Sequence, residues 1–241
     1  MKFENRKRIG NRLLLILLTA VLALTLFPAI STADEPDEML CEVVGGGQYE
    51  TLSEALNEVP DGGTIRLLQN ILCGEPVIIT DKDITFDLNG NKFTIDTSHI
   101  TASVALHVVN CTVDLLPSGG SQFTVKGALY GVFAGNNASV TVQYAEATGA
   151  GGTGANAENG GTITVLGDAK GSSSGATAKG DGSEVTVNDD AMSTEDNSIA
   201  IYAASGGYVR AKNALSSGAD STGIWASGTA QGTAVAVTGS V

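Results

Sequence analysis

Five positions in the second half of the chain recur at a nearly constant interval. Gly131, Gly154, Gly175, Ala200 and Gly223 are separated by 23, 21, 25 and 23 residues. Each lies in a short run of small or aliphatic residues, and a second run follows each first one. Tyr130–Ala134 precedes Ser139–Val142, Gly154–Ala157 precedes Thr162–Val165, and Gly175–Ala178 precedes Glu184–Val187. Ala200–Ala203 with Tyr208–Ala211, and Gly223–Ala226 with Ala234–Val237, complete the series. A unit that repeats at one length stacks on its neighbours, because alone it cannot bury its apolar face. Inside the runs the apolar residues alternate, which is the period of a strand. The repeat therefore predicts a solenoid in which each coil adds one strand to each wall and rises by ~4.8 Å. A β-sandwich has no need of a constant coil length.

Alternation also assigns the faces. In the first run, Val132, Ala155, Ala176, Ile201 and Ile224 form one inward column, and Ala134, Ala157, Ala178, Ala203 and Ala226 another. In the second run the inward columns are Val140, Ile163, Val185, Val209 and Val235, and Val142, Val165, Val187, Ala211 and Val237. Such small columns suit a narrow interior. The 31 glycines lack collagen's strict spacing and fall with Asn and Ser between the runs, where turns with positive φ are needed.

The front of the chain has a different character. Lys2, Arg6, Lys7, Arg8 and Arg12 precede an apolar run from Leu13 to Phe27, and Ser31-Thr32-Ala33 supplies small residues for cleavage. This is the layout of a secretory signal peptide over residues 1–33, and the apolar run is shorter than the ~20 residues that span a bilayer. Cleavage would remove five of the 13 basic residues and one of the 26 acidic ones, moving the net charge from −13 to about −17. No membrane-spanning segment is then expected. A surface that acidic disfavours nucleic acid, whose phosphates are met by Lys and Arg. Outside the cell Cys41 and Cys73 are candidates for a disulfide, which leaves Cys111 over; three buried small side chains are the alternative.

Residues 34–63 read as an N-terminal cap. Tyr49–Val59 holds the one clear helical pattern, with Thr51 and Glu54 at capping-box spacing and Leu52, Ala55, Leu56 and Val59 on one face. Pro60-Asp61-Gly62-Gly63 ends it. Beyond it, Thr64–Leu68, Val77–Ile79, Ile84–Leu88 and Lys92–Ile95 are short strand-like runs. A helix before many strands fits a plug over the open end of a stack.

Tyr49-x-Thr-Leu-x-x-Ala-Leu, Pro60-Asp-Gly-Gly-Thr-Ile-x-Leu-Leu and Ile84-Thr-Phe-Asp-Leu-Asn-Gly-x-x-Phe-Thr-Ile resemble the opening of right-handed parallel β-helix proteins. The resemblance is to the pectin-lyase-like surface proteins and adhesins of Gram-positive bacteria, and it covers residues 43–96. It implies an all-β, right-handed parallel β-helix over residues 64–241 with an N-terminal capping helix, secreted and sometimes associated with the cell wall. It implies three kinds of function: an adhesin or binding module, a polysaccharide lyase or hydrolase, and a passive stalk. No catalytic motif of those enzymes matches residue by residue, so no catalytic residue is assigned and the binding module is the preferred expectation.

Outward positions carry the candidate site. In the first run the outward column is Phe133, Asn156, Thr177, Tyr202 and Trp225. Exposed flat rings stack on the C–H faces of sugars, so Trp225 and Tyr202, with Tyr208 and Phe133, are the candidate carbohydrate contacts. Rings that stack on one another or lie under a loop are the alternative. The expected partners are host or environmental glycans or surface proteins. No cofactor is expected. Asp181, Asp189 and Asp190 are candidates for calcium, with solvated acidic turns as the alternative. The threonines of the second run are explained by β propensity. His99 and His107 lack metalloprotease spacing and read as ordinary strand or turn residues. The chain stops at Thr238–Val241 just after a strand-like run, so further sequence or another chain is expected to cover the last edge.

Overall fold

The computed structural model describes residues 38–116, 118–228 and 232–241. The expected signal peptide, residues 1–33, lies outside them. The first described elements are strands β1 (Cys41–Val43) and β2 (Gln48–Tyr49) and helix α1 (Leu52–Glu58). Thr51 and Glu54 form the capping box, each side chain accepting from the other's backbone N–H. Leu52, Ala55 and Val59 are buried. Beyond the last turn, the Lys82 ammonium donates to the Leu56 carbonyl at 3.1 Å, where helix carbonyls lack intrahelical partners.

From Gly63 onward the chain winds as a parallel β-solenoid whose coils have three walls. The first wall stacks β3 (Gly63–Leu67), β6 (Ile84–Asp87), β9 (Thr112–Leu116), β12 (Ser139–Val142) and β15 (Thr162–Val165). The first halves of β18 (Glu184–Ser193) and β20 (Tyr208–Ser216), then β22 (Ala234–Val237), continue it. The second wall stacks β4 (Ile71–Cys73), β7 (Lys92–Asp96), β10 (Gln122–Gly127), β13 (Tyr144–Ala147), β16 (Ala169–Gly171) and the second halves of β18 and β20. The third stacks β5 (Val77–Thr80), β8 (Val104–Val109), β11 (Tyr130–Gly135), β14 (Thr153–Glu158), β17 (Ser174–Lys179), β19 (Ile199–Ala204) and β21 (Thr222–Ser227). The third wall counts seven coils. The edge of β3 is met by β1, which pairs antiparallel with it through Cys41↔Leu67 and Val43↔Ile65.

The two runs of the repeat are the third and first walls. Their columns are in the expected register: Val132↔Ala155↔Ala176↔Ile201↔Ile224, and Val140↔Ile163↔Val185↔Val209↔Val235. Most of these side chains are fully buried. On the last coil Ile224, Val235 and Val237 are half-buried and Ala226 is exposed on β21, whose far edge pairs with no described strand. The second wall was not expected as a separate face. Its strands are short and outwardly charged. Lys126, Glu146 and Lys170 stack there in successive coils, with ammonium–carboxylate distances of 3.6 and 3.4 Å.

The interior is widest in the early coils. Phe86, Phe93 and Phe123 are fully buried, and the Phe93 and Phe123 rings stack at 4.6 Å with 3° between planes. Later coils replace aromatics with Val and Ala, and the walls close in. A Cβ on Gly154 would stand 2.8 Å from the Gly175 carbonyl oxygen and from both the amide nitrogen and carbonyl oxygen of Lys170. The second and third walls meet there backbone to backbone. The corner between third and first walls is turned by left-handed residues, among them Asn110, Asn136, Asn159 and Ser205. Amides there bond forward to the next coil, as Asn137 N–H does to Asn159 O at 3.1 Å.

Candidate functional site

The outer column of the third wall runs unbroken through the solenoid: Ile78, His107, Phe133, Asn156, Thr177, Tyr202 and Trp225 are in register on seven coils. It is not a uniform aromatic strip. Asn156 and Thr177 face outward by alternation but are only 1% and 3% exposed. The column divides into two groups.

The first group is His107, Phe133 and Tyr130. The His107 ring meets Phe133 edge-on at 4.8 Å, and Tyr130 stacks on Phe133 at 5.8 Å. Burial, and secondarily the negative charge of Glu158, pushes the Tyr130 phenol upward in pKa. Burial lowers the pKa of His107, which leaves a neutral ring at pH 7. Phe133 is thus half-buried within a ring cluster rather than presented singly.

The second group is Tyr202 and Trp225, paired directly across β19 and β21. Trp225 is 49% exposed. Tyr202 is half-buried; its hydroxyl lies 3.5 Å from Ser227 Oγ, and the Lys179 ammonium sits 5.7 Å from its ring centroid. Lys179 also approaches Glu158 at 3.8 Å, so one cation is shared between carboxylate and ring. The result is an exposed indole flanked by a phenol, a serine hydroxyl and a lysine.

Tyr208 does not belong to this surface. It opens β20 on the first wall, in register with Glu184 and Ala234, around the corner formed by Ser205–Gly207. The calcium candidates lie in two places, Asp189 and Asp190 side by side on β18 and Asp181 in the turn before it. Asp189 pairs with Lys212 at 3.2 Å, and Asp190 accepts from Asn213 Nδ2 at 2.6 Å. Asp181 lies in the turn between Gly180 and Gly182. Among the described residues no three His, Cys, Asp or Glu side chains form a group that could hold a metal ion.

All three cysteines are free thiols, and the disulfide candidates Cys41 and Cys73 lie on different strands, β1 and β4. Cys41 sits on β1 against the first wall, its Sγ donating to Thr51 O at 3.8 Å, whereas Cys73 ends β4 on the second wall and donates to Glu75 O at 3.3 Å. Burial, and then the charge of Glu54, raises the Cys41 thiol to about 11.

Sequence reasoning missed Tyr130 and His107 as members of the surface. Extending the repeat one coil backward, onto Val104–Val109, places His107 beside Phe133.

These features define a parallel β-solenoid with two ring groups on one outer wall. Comparison with protein families, with curated proteins and with solved structures finds no match in any of the three. No helix among the described residues is long and apolar enough to cross a membrane.

Proposed function

We propose that this chain is a secreted or cell-surface binding module, an adhesin that contacts carbohydrate through Trp225 and Tyr202. The observation that carries the reading is the 49% exposure of Trp225 directly beside Tyr202 on a flat wall. An exposed indole on a rigid strand offers a large apolar face at little conformational cost, and the neighbouring lysine and hydroxyls can bond sugar oxygens. Tyr208 has no part in this surface, and Phe133 contributes through the separate ring cluster. On this reading the solenoid is right-handed, α1 and the β1–β2 hairpin cap its first coil, and the protein is of the Gram-positive surface type its opening motifs resemble.

The test is a glycan array probed with the wild-type chain and with Trp225→Ala and Tyr202→Ala. Trp225→Ala should weaken binding by about tenfold or more, as truncation of an aromatic anchor does. Unchanged signals for both variants would exclude the surface and leave a passive stalk. New reducing or unsaturated ends in a polysaccharide incubated with the chain would instead establish an enzyme.

A further inference from the structure

The corner between the second and third walls is built from connections of unequal length. In the second coil it spans residues 97–103, in the third only Ala128 and Leu129, and in the fourth residues 148–152. Two raised rims therefore stand one coil to either side of a low floor, ~9.6 Å apart at a rise of ~4.8 Å per coil. Between them is a cleft of about 360 Å³. Ala128 and Leu129 line its floor, Ser98, His99 and Thr101 one rim, and Ala150 the other.

A similar notch two coils on, over Ser172 and Ser173, is bridged. The Glu195 carboxylate accepts from the Gly151 amide at 3.4 Å, and the Glu195 amide donates to Ser172 O at 2.8 Å. The first cleft has no such bridge among the described residues.

The Ser98 rim is fixed. Ser98 donates its hydroxyl to Asp96 Oδ1 at 2.6 Å and its amide to the same oxygen at 3.0 Å. With its proton so committed, Ser98 Oγ is left as an acceptor for any further partner. The same rim is strained. Ala102 has φ +56°, and among the described residues only Ala102 and Ser205 hold left-handed φ without being Gly, Asn or Asp. An alanine kept there costs free energy that an asparagine or glycine would not, and such strain gathers at ligand clamps.

We propose that this cleft binds one neutral pyranose ring. Leu129 and Ala128 would meet the ring's C–H face, Ser98 Oγ would accept from a sugar hydroxyl, and His99 and Thr101 would supply the remaining polar contacts. The size suits a single ring in a site of the smallest common class. The net charge of −13 weighs against an anionic sugar. The cleft lies four coils, ~19 Å, from Trp225, so it is a second contact and not part of the first. The inference rests on the reading of this chain as a carbohydrate binder.

The test is a titration of the isotope-labelled chain, followed by amide and indole NMR signals, with the methyl pyranosides of glucose, galactose, mannose and N-acetylglucosamine, and with galacturonate. At least one neutral sugar should shift the amides of residues 98–102, 128–129 and 149–150, with a Kd on the order of millimolar for so small a ligand. Ala150→Trp, at an exposed position, should abolish those shifts, and Ser98→Ala should weaken them several-fold. Shifts confined to the single Trp225 indole would overturn the cleft and keep the carbohydrate reading. A response to galacturonate alone would overturn the neutral ligand, and no response from either region would overturn both.

Discussion

Gly154→Ala adds one methyl group where the structure leaves no room. The new Cβ would stand 2.8 Å from three backbone atoms, two of them in β16 and one in β17. None is the end of a flexible side chain, so relief requires moving a strand that is itself paired on both sides. Overpacking of this kind costs about 1–3 kcal/mol. For a chain of this size 1 kcal/mol corresponds to roughly 2–4 °C, so the midpoint should fall by about 2–12 °C. Gly74→Ala is the matched control. Nothing lies within 4 Å of its Cβ and its φ is not left-handed, so the same methyl should leave the midpoint unchanged or raise it slightly. The assay is thermal unfolding of both variants followed by far-UV circular dichroism. Equal midpoints for the two would refute the backbone-to-backbone approach of the second and third walls.

Phe93→Ala removes the ring packed between Phe86 and Phe123 and should cost about 3–5 kcal/mol, read as a loss of denaturant midpoint. Brief alkylation of the native chain at pH 8, followed by mass spectrometry, should label Cys73 and spare Cys41 and Cys111, which are buried and whose thiols burial raises in pKa. Asp96 lies below the ordinary carboxylate range, chiefly through the Ser98 hydroxyl bond, with Lys126 and His99 adding positive charge. Its folded pKa is depressed, so its contribution to stability is present above the unfolded value and is lost as pH falls through the folded one. Ser98→Ala should flatten that part of the acid-unfolding profile; an unchanged profile would contradict the assignment.

What was legible in the sequence is what the period of two controls. Val132, Ala155, Ala176 and Ile201 could be aligned because each strand alternates and each coil has nearly one length, and a slip of one residue would turn the column outward. The second wall escaped notice as a face because strands such as Ala169–Gly171 are too short to show a period, and only Lys92–Ile95, on β7, stood out as strand-like. Corner angles are equally hidden. Tyr208 stands six residues after Tyr202 in the chain, yet Ser205–Gly207 carries it onto another wall. Asn156 and Thr177 have outward parity yet are buried, and parity alone does not set exposure. The cleft over Leu129 depends on the difference between connections in adjacent coils, which becomes visible only once the coils are in register.

Trp225 is the chain's single tryptophan, so its fluorescence reports on the proposed contact alone. The decisive measurement is a titration with the glycan that gives the strongest array signal, following tryptophan emission and calorimetric heat in parallel. If Trp225 makes the contact, the emission maximum moves to shorter wavelength as the indole leaves water, with the same midpoint as the heat. Saturable binding with unchanged emission would contradict it.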